Sequence, residues 1–103
     1  MMFLGYYGQP RDEEILTPTT STGFTAAKLN PSTLGGAPMK CALVTAISGD
    51  IRFDLIGNTP DTTSHLIKEG DTFPVLGVDA CRGFKCIVDQ TSSGAQLRCT
   101  YFY

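Results

Sequence analysis

Tryptophan is absent from this chain, histidine occurs once and charge is sparse, and each shortage removes a class of function. Without tryptophan, the usual aromatic platform for stacking a sugar ring lacks its commonest residue. His65 is the only side chain whose ordinary pKa suits proton transfer near neutral pH. Its neighbour Ser64 makes no dyad with it, because adjacent side chains in extended backbone point to opposite faces. His65 therefore reads as an ordinary loop or edge residue, and the chain is not expected to be an enzyme. Charged residues make up 17% with a net charge of −2, and no block of Lys and Arg offers the basic footprint that phosphate neutralisation requires, so nucleic acid is not an expected partner. No apolar run approaches the roughly 18 to 20 residues that cross a bilayer, which removes the membrane as a partner. The opening Met1 to Tyr7 has neither a basic flank nor a small-residue cleavage site. A soluble protein that keeps this start is the expectation.

Motifs for cofactors and metals are equally scarce. The cysteines form one loose pair, Cys81 and Cys86, and two singletons, Cys41 and Cys99, whereas a structural zinc site brings ligands in two tight pairs. No segment follows the alternating-oxygen calcium loop. Gly35-Gly36 runs into Ala37-Pro38 instead of opening a helix, so it is a loop and not a phosphate cradle. Glu13-Glu14, and Asp50 with Asp54, read as solvated carboxylates. No metal and no cofactor are expected. The four cysteines read as buried free thiols. Cys86 and Cys99 both point inward by pattern on strands joined by a short turn, so a cross-strand disulfide is the alternative in an oxidising compartment.

What the sequence does contain is turns. Eleven glycines and six prolines punctuate 103 residues, enough chain for one core. Residues 1–22 read as an extended N-terminal arm, with no useful periodicity and a Thr/Ser-rich stretch around Pro18. Its apolar residues, Phe3, Leu4, Tyr6, Tyr7, Ile15 and Leu16, need a home, either over their own domain or on a neighbouring protein, and are the candidate partner-binding residues. Residues 23–103 read as a single β-domain. A first strand is expected over Gly23–Leu29, a buried strand over Lys40–Ile47, and a tight turn at Ser48-Gly49-Asp50. Ile51, Phe53 and Leu55 alternate against Arg52 and Asp54, the clearest local signal in the chain. His65–Ile67 is a short extended stretch, and Pro74 places Thr72–Val75 at a sheet edge. Phe84, Cys86 and Val88, then Leu97, Cys99 and Tyr101, alternate as inward faces. With no convincing helix, the expected fold is all-β: a small antiparallel sandwich or a partly closed barrel.

From Thr19 to Tyr103 the chain resembles a family of short bacteriophage and prophage virion proteins. The resembling elements are Thr22-Gly23-Phe24-Thr25-Ala26-Ala27-Lys28-Leu29, then Ala42-Leu43-Val44-Thr45 leading into Asp50-Ile51-Arg52-Phe53. They continue with Gly57 to Pro60, His65-Leu66-Ile67, Gly70-Asp71-Thr72-Phe73 and Leu97 to Phe102. The resemblance implies a compact β-domain of the particle's head or head–tail region. It suggests a capsid cement or decoration protein, made in the host cytoplasm, that binds the outer surface of the major capsid protein shell as a homotrimer. A head–tail connector or tail-completion protein is the alternative within that class, and a carbohydrate-binding module the alternative outside it. The aromatic, partly acidic arm and the four cysteines depart from the family's pattern.

Overall fold

A computed structural model describes residues 8–103. Seven strands form two antiparallel sheets: β1 (Pro10–Leu16), β2 (Cys41–Ile47), β3 (Ile51–Asp54), β4 (His65–Ile67), β5 (Thr72–Leu76), β6 (Lys85–Val88) and β7 (Gln96–Phe102). The larger sheet has the order β1-β7-β2-β5 and the smaller one β4-β3-β6. The fold is a small all-β sandwich, and both sheets are open, which settles the choice between sandwich and barrel. Two short helices accompany the strands, α1 (Ala26–Leu29) and α2 (Val78–Gly83).

The alternating segments form strands where their apolar faces can meet. Ile51 and Phe53 of β3 point inward, opposed by Leu97, Cys99 and Tyr101 of β7, all at most 3% exposed. Between the sheets runs a chain of rings. Tyr101 meets Phe24 edge-on at 5.0 Å, Phe24 stacks on Phe84 at 4.4 Å, and Phe53 lies 6.0 Å from Phe84 and 4.8 Å from Phe73. Offset and edge-on pairs of this kind each add about 0.5 to 1.5 kcal/mol beyond the area they bury. The turn from β2 to β3 places Ser48 at φ 62° and Gly49 at φ 145°. A Cβ at Gly49 would run into the Ala95 and Ser92 side chains, so glycine is required there by both backbone and space. Pro74 sits in β5, an edge strand, where its missing N–H costs the ladder least.

Three sequence expectations change. Gly23–Leu29 is not a strand. Its second half is the helix α1, and Phe24 leaves the backbone inward to join the ring stack. Val78–Gly83, given no helix by the pattern, forms α2 and buries Cys81. The largest change concerns the arm. Pro10–Leu16 is a strand of the larger sheet, paired with β7 from Pro10↔Phe102 to Leu16↔Leu97 with a register shift between Pro10 and Asp12. The chain then crosses to the smaller sheet and runs along the outer edge of β6. Pro18 O accepts from Val88 N at 2.9 Å, and Thr22 exchanges backbone bonds with Cys86 at 2.8 and 2.9 Å. Leu16 and Pro18 are buried on the way. The physical reason is that β7 and β6 would otherwise leave ladder groups unpaired at two sheet edges, and one segment satisfies both. Residues 10–22 are thus part of the sandwich and lace its two sheets together.

Candidate functional site

β1 presents its inward positions as Asp12, Glu14 and Leu16, two carboxylates and one apolar residue. Each carboxylate has donors waiting. Asp12 Oδ2 accepts from Lys28 Nζ at 2.9 Å, and this bond, with the backbone N–H of Glu13, holds the Asp12 carboxyl below the usual carboxylate range. Glu14 accepts from the Tyr101 hydroxyl and from both the backbone N–H and the hydroxyl of Thr25, which caps the start of α1 against the strand. Burial pushes the Tyr101 phenol well above its ordinary value, so Tyr101 is the donor in this contact.

The opposite face of the larger sheet is partly open, with Cys41 and Phe102 buried in a small second cluster on it and Leu43 packed against them. The strand registers arrange it in three rows: Ile15, Arg98, Thr45, Thr72; then Glu13, Thr100, Leu43, Pro74; then Pro10, Phe102, Cys41, Leu76. Charge is confined to the β1–β7 half, where Arg98 Nη2 and Glu13 Oε2 are 3.2 Å apart. The β2–β5 half has none: Thr45 and Thr72 share a hydroxyl bond at 2.8 Å, and Leu43, Pro74 and Leu76 complete it around the fully buried Cys41. Two of the three large hydrophobic residues exposed among the described residues, Ile15 at 51% and Leu76 at 38%, lie on this face. A flat face with half its area uncharged is suited to docking another protein surface, because little hydration must be stripped from ionised groups.

The candidate partner-binding residues divide accordingly. Ile15 stands exposed on that face. Leu16 points the other way, 7% exposed in the core, since neighbours on a strand face opposite sides; it stabilises the sandwich and is not free for a partner. Phe3, Leu4, Tyr6 and Tyr7 lie outside the described residues. Leu43, Pro74 and Leu76 were missed as contact candidates. Phe73 to Leu76 is apolar throughout, so the sequence does not mark which of its two faces turns outward; the pairing with β2 does.

The thiols are all buried, Cys41 included although its register places it on the outer side of the larger sheet. Cys41, Cys81, Cys86 and Cys99 are free thiols, each at most 1% exposed. Burial pushes Cys81, Cys86 and Cys99 up to about 12 and raises Cys41. Cys86 and Cys99 do not share a hairpin. They lie in different sheets and point into the core from opposite sides, unbonded. His65 stands at the free end of β4 with its ring 5.2 Å from Phe53. No group of three or more His, Cys, Asp or Glu side chains is placed to hold a metal among the described residues. The described hollows are shallow; one of about 220 Å³, with apolar and charged walls, lies on the outer side of the smaller sheet between Arg52, Ile87 and the loop Pro60–Thr62. Among the described residues, no helix is long and apolar enough to cross a membrane.

No family model, curated protein or solved structure matches this chain.

Proposed function

We propose that this chain is a structural protein of a bacteriophage particle, a cement or decoration protein that lays the outer face of its larger sheet on the major capsid protein shell. The observation that supports this most is the uncharged β2–β5 half of that face, with Leu43, Pro74 and Leu76 outward and Ile15 at the far edge. Adhesion is a use for an uncharged sheet surface of this kind, and association between proteins is dominated by a few such desolvated anchors. The resemblance of Thr19–Tyr103 to short virion proteins supplies the partner class. Phe3, Leu4, Tyr6 and Tyr7 are assigned to the same partner in this reading, as apolar anchors.

A cryo-EM map of the native particle tests the proposal. Density for this sandwich spread over the capsid exterior, with Leu76 and Ile15 at the contact, is the expected result. A single ring of copies at one vertex would replace it with the head–tail connector reading. Absence from the particle would end both. In solution, Leu76→Asp should abolish pelleting with capsids while leaving the fold intact, because Leu76 is on an exposed edge strand and outside the core.

A further inference from the structure

The loop after β3 holds the most exposed large hydrophobic side chain among the described residues, and three hydrogen bonds from its backbone fix the loop. Ile56 is 80% exposed. Its own N–H and that of Asn58 both donate to Asp54 Oδ2 at 2.9 Å, and Gly57 N donates to Gly83 O at 2.8 Å. Gly83 has no side chain to spare for this approach: a Cβ there would collide with the Leu55 carbonyl. A flexible loop could fold an isoleucine away from water, whereas this one keeps it out on a fixed knob. The same loop then turns back, buries Pro60, and forms with Ile87 and Val88 the apolar part of the 220 Å³ groove, which Asp61 and the Arg52–Asp89 ion pair also line.

We propose that this loop is a self-association site, in which Ile56 of one copy enters the Pro60–Ile87 groove of a second copy while the second copy's Ile56 enters the groove of the first. Knob and groove belong to one short segment, so a single two-fold axis satisfies both at once and leaves no open half-site. The segment from Leu55 to Pro60 carries no charge, and the charged residues at the groove, Arg52 with Asp61 and Asp89, are of both signs, so that like charges need not meet across the axis. The groove volume accommodates a branched aliphatic side chain, and its floor offers apolar contacts that water does not. The contact lies on the smaller sheet's side, away from the face assigned to the shell, and it does not depend on that assignment. It also differs in symmetry from the three-fold arrangement that the virion resemblance implies.

Sedimentation velocity of the full chain over a rising concentration series is the test, and a monomer–dimer equilibrium is the expected result. Ile56→Asp should weaken dimerisation about tenfold or more, the loss of one aliphatic anchor, with the thermal midpoint unchanged because the side chain is already in water. Mixing Ile56→Cys and Thr62→Cys chains under mild oxidation should give a mixed cross-linked dimer, since the native thiols are buried and silent. A chain monomeric throughout the series, a trimer, an Ile56→Asp variant that dimerises like the parent, or cross-linking between two Ile56→Cys chains in preference to the mixed pair would each overturn the proposal.

Discussion

The carboxylate of Glu14 on β1 receives the hydroxyl of Tyr101 on β7, beneath the start of α1. An edge strand whose inward side chains are mostly acids gains little from the hydrophobic effect, so this contact and its companions at Asp12 and Thr25 decide whether β1 stays docked.

Replacing Glu14 by alanine should therefore cost about 1 to 3 kcal/mol, because the buried Tyr101 hydroxyl and the Thr25 N–H lose their acceptor. Urea denaturation checks the loss, and hydrogen exchange locates it: amides of β1 should become the fastest-exchanging of the larger sheet. Glu14→Gln, which retains an accepting oxygen, should lose less.

Stability should fall on acidification, and the sign follows from two aspartates. Lys28 holds Asp12 below its ordinary value, and the Thr91 hydroxyl together with Arg52 does the same for Asp89. The unfolded chain then takes up protons first as pH drops, so the stabilisation is present above the ordinary aspartate pKa of about 3.9 and is lost as pH falls through the lower folded values. The urea midpoint should be flat from neutrality to about pH 5 with respect to these groups and decline below about pH 4. Asp89→Asn should shallow that decline.

The four thiols should be silent in the native protein. At pH 8 a chromogenic disulfide reagent should titrate none of Cys41, Cys81, Cys86 and Cys99 promptly, and all four after denaturation, since burial both shields them and suppresses the thiolate. Prompt reaction of two thiols would show that one part of the core opens readily.

Gly83→Ala should cost about 1 to 3 kcal/mol through the collision with Leu55, the range for forcing extra bulk into a filled space. The Gly57 amide, deprived of its carbonyl partner, should gain exchange at the same time, which hydrogen–deuterium NMR would report.

Much of the sandwich was legible because it was written in local alternation. Ile51 and Phe53, the turn at Gly49, the inward set Leu97, Cys99 and Tyr101, and the edge position of Pro74 all follow from side-chain period and backbone chemistry. β1 was not legible, since Asp12 and Glu14 occupy the inward positions where a strand is recognised by apolar residues, and their donors come from Lys28 and from Tyr101, which is distant in sequence. α2 spans six residues, too few to display a helical period. The outer face had a similar obstacle. Its rows join four strands from distant parts of the chain, and only the pairing of β7 with both β1 and β2 brings Ile15 onto the same surface as Leu76.

The position of β7 between β1 and β2 also sets the order in which this molecule can be made. A nascent chain that has emerged as far as β6 has both neighbours of the missing strand and nothing to join them, so Leu16, Val44 and Tyr101's future partners Phe24 and Phe84 remain unsheltered until Gln96–Phe102 leaves the ribosome. The sandwich consequently cannot close before β7 has been made, and production in a host should respond to chaperone supply and growth temperature more than to the strength of any single contact in the finished protein.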